Sequence, residues 1–160
     1  MRRKEREVKG ISDLVSIIEK CDVCTLVLHN EGIPYLLPLN FGYEVLDGVV
    51  HLFFHSAMEG TKFDIMKRDA RASFEMHANH QLEYFEEQGY CTMSYESVIG
   101  TGKMHIIDNP QEKEKALRKI MDQYHEKDAY FNPAAIPRTK VYKLIVESMS
   151  GKSKPPRKTF

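Results

Sequence analysis

Apolar positions between residues 11 and 20 recur at helical spacing, through Ile11, Leu14, Val15 and Ile18, and predict a short amphipathic helix with Ser12 as its cap. Val23 to Leu28 is then rich in β-formers and closes on the turn signal Asn30-Glu31-Gly32. An extended segment follows from Ile33 to Tyr43, and its two prolines, Pro34 and Pro38, predict a sheet edge or an interrupted ladder. Asp47-Gly48 signals a hairpin leading into Val49-Val50-His51-Leu52-Phe53-Phe54, a run apolar enough to be buried on both faces. The period then changes. Thr61 to Asp69 reads as a helix with Phe63, Met66 and Ile65 inward, Ala70 to Met76 as a strand, and Tyr90 to Ile107 as one long strand or two joined at Gly100 and Gly102. Asp108-Asn109-Pro110 opens the clearest helix, with Ala116, Leu117, Ile120, Met121 and Tyr124 on its apolar face and the charges opposite. After a Pro-containing loop over residues 126–138, Val141 to Met149 alternates as a final strand.

This order, with strands joined by short turns, predicts a barrel-like α+β or mainly β domain with antiparallel pairing. No repeat or interdomain linker divides it, so residues 1–150 form one domain, and 151–160 form a basic, proline-containing, mobile tail. At 160 residues, 42% hydrophobic and 10% aromatic, the chain can bury a substantial core. Lys+Arg and Asp+Glu both count 23, and this balance argues against a protein that coats nucleic acid. No apolar run approaches the ~20 residues that span a bilayer. The basic start, from Arg2 to Arg6, lacks the apolar stretch of a signal peptide, which makes a soluble cytoplasmic protein the expectation.

Three cysteines are too few for a disulfide framework. Cys21-Asp22-Val23-Cys24 sits where a helix ends, the wrong polarity to lower a thiol pKa, and no second pair completes a zinc site. These thiols read as buried and inert. Four histidines, His51, His55, His77 and His80, offer ingredients for a metal or haem site, but acidic partners at ligand spacing are missing. No metal is expected.

His55-Ser56-Ala57-Met58-Glu59-Gly60-Thr61-Lys62 lies between the buried third strand and the short helix. A helix start offers unpaired N–H groups and a positive dipole end, Ser56 and Thr61 add hydroxyls, Lys62 adds a charge, and Gly60 allows close backbone approach. Those parts make an anion pocket. Taken alone they serve equally a capped helix, with Ser56 or Thr61 as cap and Lys62 in solvent. Likewise Pro38-Leu39-Asn40-Phe41-Gly42-Tyr43 is either a proline-interrupted strand offering backbone to a planar ring or an ordinary barrel corner.

In combination these segments resemble a known family. Pro38 to Tyr43, Phe54-His55-Ser56-Ala57 with Gly60 and Lys62, and Ser97-Val98-Ile99-Gly100 with Gly102 look like the nitroimidazole-resistance branch of the pyridoxamine-phosphate-oxidase-like superfamily. The basic start from Arg2 to Glu7 and the Cys21–Cys24 segment share the likeness, which covers residues 2–150. The resemblance implies a six-stranded antiparallel split β-barrel that binds flavin, FMN by default or FAD, at the interface of a homodimer. It places His55, Ser56 and Ala57 along the ribityl-phosphate, Thr61 and Lys62 on the phosphate, Pro38, Leu39 and Asn40 at the isoalloxazine, and Ser97 and Val98 at the rim of the pocket. The implied activity is flavin-dependent reduction of an electron-poor acceptor such as a nitroimidazole or other nitroaromatic, with His55 as the candidate for proton supply. The alternatives are a flavin carrier without turnover and a haem-binding protein. Pyridoxamine-phosphate oxidase itself is not expected. That enzyme grips substrate phosphate with Trp and Arg in its last strands, whereas this chain has no tryptophan and its last strand reads Val141-Tyr142-Lys143-Leu144-Ile145-Val146.

Overall fold

The computed structural model describes residues 3–126 and 128–157. Arg2 of the basic start and residues 158–160 of the expected tail lie outside the described residues. After a short 3-10 turn at Lys4–Arg6, the elements run β1 (Glu7–Val8), α1 (Ile11–Ile18), β2 (Cys24–Asn30), β3 (Ile33–Leu39), β4 (Gly42–Leu46), β5 (Val49–Ser56), α2 (Thr61–Arg68), β6 (Arg71–Phe85), β7 (Tyr90–Ile107), α3 (Pro110–Gln123) and β8 (Lys140–Lys154). Gly10, extended, caps α1 without a side-chain bond, so Ser12 falls inside the first turn and is not the cap. In α3 the expected signal holds, because the Asn109 side chain accepts from the Gln111 and Glu112 amides and Pro110 occupies the first turn.

All the strand pairing is antiparallel, in the order β3-β2-β6-β7-β8-β5-β4, with β1 beside β8. The fold is thus the β-rich, split-barrel-like one expected, with two corrections. Among the described residues it has eight strands instead of six, and hydrogen bonding between them does not close it: β3 and β4 end an open path. The count rises because Asn40-Phe41 breaks the extended segment into two strands and because Glu7–Val8 adds a short one. The prolines explain the edge. Counting from the closing pair Asn30–Ile33, Pro34 and Pro38 fall at positions that need no N–H from the ladder. Glu31-Gly32 and Asp47-Gly48, all at positive φ, make the tight turns of β2–β3 and β4–β5.

Two lengths also differ from expectation. β6 continues past Met76 to Phe85 as an arm paired with β7, bulged between Ala78 and Gln81. Its outer half lies largely in solvent, with even Leu82 and Tyr84 exposed, so no buried face marks it. β8 continues past Met149 to Lys154, pairing Gly151 with Val98 on one side and Val8 on the other.

The main core fills the barrel with Leu26, Leu52, Phe54, Phe74, Tyr142 and Leu144, and receives Leu14, Ile17 and Ile18 from α1. A second core lies outside, where Ala116, Leu117 and Ile120 of α3 cover Phe53, Ile107 and Val141. That is why β5 is buried on both faces: Val50, Leu52 and Phe54 point in, while His51 and Phe53 lie under the helix side. The helix comes so close to β4 that a Cβ on Gly42 would stand 2.3 Å from the Lys119 carbonyl carbon. Lys113 is an exception to the charged-outside pattern of α3, buried with its ammonium donating to the Thr139 carbonyl at 3.1 Å. Among the described residues no helix is long and apolar enough to cross a membrane.

Candidate functional site

Strand β5 ends at Ser56, and after four intervening residues α2 begins at Thr61. Gly60 makes the turn at φ 150°, ψ 151°, a backbone region open essentially only to glycine. No side chain caps α2, which overturns the capped-helix alternative. The Ser56 hydroxyl instead donates to the Ala57 carbonyl at 3.0 Å, and Thr61 is the first helical residue. Phe63 N bonds back to Gly60 O at 3.0 Å, leaving the Thr61 and Lys62 amides for another acceptor. Lys62 folds over this loop: its ammonium lies 4.7 Å from the Phe63 ring centroid and 3.2 Å from where a Cβ on Gly60 would sit.

The inner face of β5 carries Ser56 towards β8, where its partner is Lys140. The Lys140 ammonium stands 6.0 Å from the same Phe63 ring and 3.4 Å from the Asp108 carboxylate. Next inward on this face, Tyr142 stacks on Phe54 at 5.7 Å and meets the edge of Phe63 at 5.6 Å. Burial pushes the Tyr142 phenol up to about 12. Its oxygen is buried and unbonded; Ser56 is near enough to influence it but not in hydrogen-bonding geometry. Lys140 and Tyr142 are absent from the residues singled out from sequence. Alternation in the last strand does put Tyr142 inward, but nothing in one sequence shows that Lys140 pairs with Ser56.

His55 points to the other face of β5, beside Phe53 and opposite Val141. Desolvation lowers its pKa, so it is neutral at pH 7. His51 shares that face, is buried, and is also lowered, by desolvation and then by Lys143. His77 and His80 stack on each other on the β6 arm, 4.7 Å between centroids, and do not join this pair. Among the described residues no group of three or more His, Cys, Asp or Glu could hold a metal ion.

Pro38 and Leu39 end the edge strand β3, and Asn40 follows in the break before β4. The junction they enter is clamped by Tyr124 at the end of α3, whose hydroxyl accepts from Asn40 Nδ2 (3.0 Å) and the Phe41 amide (3.3 Å) and donates to Asp22 O (2.6 Å). Since Gly42 pairs with Phe53, the junction enters at the end of β5 that carries His55 and Ser56. Ser97 and Val98 are not brought there by their own chain. Val98 is a core residue nine positions along β7 from Ile107, the residue level with Val141 and hence with His55. Ser97 lies between His77 and Lys152.

Beside the cradle a cavity of about 180 Å³ is lined by Phe63, Met66, Met104 and Ile106, with Lys67 and Lys140 at its rim. Larger clefts suit an anion less. One of about 600 Å³ carries Glu19, Glu44 and Asp122. In another, of about 560 Å³, Lys154 is already bonded to Thr92 and the Met93 carbonyl, and a third, of about 420 Å³, is lined by Val27, Phe74, Ile99 and Met149 with Glu75 and no cation. Free amides, a hydroxyl, two ammonium groups, a turn whose φ only glycine adopts freely and an unbonded buried phenol together fit the phosphate end of a flavin. The CxxC pair is buried, and burial pushes the Cys21 thiol up to about 12 and Cys24 higher still.

The family described as pyridoxamine 5'-phosphate oxidase matches residues 12–153. Among curated proteins none matches the chain. Among solved structures, a candidate 5-nitroimidazole antibiotic resistance protein from Bacteroides thetaiotaomicron is similar at 32% identity and TM-score 0.80, over 91% of this chain and 85% of that one. A flavocytochrome from Azotobacter vinelandii superposes with TM-score 0.78 at 16% identity, over 98% of this chain and 72% of that one. An FAD and haem binding protein from Mycobacterium smegmatis does so with TM-score 0.75 at 17% identity, over 94% and 74%. The last two likenesses are of fold.

Proposed function

The chain belongs to the pyridoxamine 5'-phosphate oxidase family, and from that premise we propose that it is a flavin-dependent oxidoreductase that reduces nitroimidazoles or related nitroaromatics. The observation that carries the cofactor is the uncapped start of α2 between Ser56 and Lys62. The acceptor class is supported by the likeness to the Bacteroides protein over 91% of the chain.

FMN is the proposed cofactor, since the Ser56–Lys62 loop suits one terminal phosphate. Bound flavin supplies the hydride chemistry. The chain's own residues bind and orient. Thr61 and Lys62 amides, with the Lys62 ammonium, hold the phosphate; the Asn40–Phe41 junction, fixed by Tyr124, offers backbone to the ring at the same end of β5. His55, neutral and on the other face, offers one ring N–H as a hydrogen-bond donor that polarises a nitro acceptor. Because Ser97 lies too far along β7 to serve its own cradle, a homodimer with flavin at the interface is part of the proposal, Ser97 and Val98 coming from a second copy. Cytoplasmic residence goes with it, as all three cysteines are free thiols.

The test is anaerobic. NADH or NADPH should bleach the bound flavin, and a 5-nitroimidazole should restore its absorbance. Bleaching without restoration by any nitroaromatic removes the reductase and leaves a flavin carrier. A Soret band with no flavin absorbance in the purified protein overturns the cofactor.

A further inference from the structure

We propose that Lys140 and Tyr142 of β8 complete the phosphate cradle, Lys140 as a second cation on the phosphate and Tyr142 as the positioning donor that orients Ser56. The inference rests on the flavin-phosphate reading of the Ser56–Lys62 loop.

Four observations converge. Ser56 and Lys140 are direct partners across β5 and β8, so their Cβ atoms stand about 5 Å apart on one face. Lys62 and Lys140 approach the same Phe63 ring from two elements, at 4.7 and 6.0 Å from its centroid. Two ammonium groups gathered around one ring repel each other, and an anion between them turns that repulsion into attraction. The opposing carboxylate is Asp108, whose side chain is 78% exposed and 3.4 Å from Lys140, a pairing that solvent and salt weaken.

Tyr142 supplies the fourth observation, independent of any helix terminus. It is fully buried, its hydroxyl oxygen is unbonded, and Ser56 is beside it. A buried hydroxyl left unpaired is uncommon in a folded protein. Ser56 now donates to the Ala57 carbonyl at 3.0 Å. A serine hydroxyl is one donor and two acceptors. When a phosphate oxygen takes the Ser56 proton as a hydrogen bond in place of the Ala57 carbonyl, the serine turns, and its lone pair accepts the Tyr142 O–H. The phenol, the serine and the phosphate then form one chain of donors, and the last unpaired polar atom of the pocket is satisfied.

The experiment compares FMN with riboflavin, which lacks the phosphate, by quenching of flavin fluorescence. Lys140→Ala should weaken FMN about tenfold or more, as expected for a charge-assisted contact. Riboflavin affinity should stay within about twofold. Asp108→Asn should tighten FMN by about two- to threefold, a change of opposite sign that a merely structural lysine cannot produce. It also carries the test if Lys140→Ala does not fold. Tyr142→Phe should weaken FMN, and on a Ser56→Ala background should have no further effect. Equal losses of FMN and riboflavin in Lys140→Ala, or an Asp108→Asn protein no tighter than wild type, overturn the role of Lys140. Additive losses for Ser56 and Tyr142 overturn the relay. Wild-type protein that binds neither compound overturns the flavin reading itself, an outcome distinct from wild-type binding that Lys140→Ala leaves unchanged.

Discussion

Replacing Gly60 by alanine separates backbone strain from steric crowding at the cradle. The added Cβ would meet the Lys62 ammonium at 3.2 Å, the far end of a flexible side chain that can move aside, so crowding costs little. The backbone cannot move aside so easily. At φ 150°, ψ 151° an L-residue is strained by about 1–3 kcal/mol. If the loop keeps its shape, the strain appears as lost stability, with urea unfolding reporting a loss of about 1–3 kcal/mol. If the loop relaxes instead, the Thr61 and Lys62 amides leave the cradle and FMN affinity falls by roughly 5- to 150-fold. Gly48→Ala is the control. Gly48 has φ 79° with nothing within 4 Å, so an alanine there carries about 1–2 kcal/mol of strain in a turn remote from the site and should leave FMN affinity unchanged. A Gly60→Ala protein as stable as wild type that also binds FMN as tightly would refute the reasoning, because neither route for the strain would then be open.

Tyr124→Phe should lower stability by about 0.5–1.5 kcal/mol in urea unfolding, since it strips one largely exposed hydroxyl from Asn40, Phe41 and Asp22 at once; an unchanged midpoint would show that water replaces it. Ellman's reagent should titrate one thiol, Cys91, in the native protein at pH 8 and three after unfolding, because Cys21 and Cys24 are buried with raised pKa values. Stability should also fall on the acid side. The pKa of His51 is lowered in the folded state by desolvation and by Lys143 and His105, against Glu44, so its contribution is complete above the unfolded value near 6.5 and is lost as pH falls towards the lower folded value. In a series of thermal melts from pH 7.5 to 5, His51→Gln should flatten the decline, and an identical slope would remove His51 as its source.

Much of this protein could be read from its residues in order, for identifiable reasons. Both two-residue turns were visible because they need positive φ and the chain places Gly32 and Gly48 there. The two-faced burial of the strand from Val49 was visible because nothing polar interrupts it but His51, and the long helix because Asn109 and Pro110 announce it. What stayed hidden depends on pairing. Lys140 became part of the site through a partner 84 positions away in the chain, and Tyr124 through three polar groups on two other segments. Ser97 and Val98 resembled site residues by motif, yet the ladder holds them ten and nine positions from the cradle's level. One extra strand was missed because the Asn40–Phe41 break carries no glycine or proline of its own, and the other because Glu7–Val8 is too short to show a period.

The place of β8 has a consequence for how the protein is made. It is the one strand that joins β3-β2-β6-β7 to the β5-β4 hairpin, yet it is synthesised after all of them. Until residues 140–154 leave the ribosome, β5 and β7 each present a bare ladder edge, and β5 carries two faces of exposed Val, Leu and Phe. Edges of that kind pair with other chains. A nascent chain halted before Lys140 should therefore engage chaperones or aggregate, and the fold should close only after β8 has emerged, when Gly151 reaches Val8.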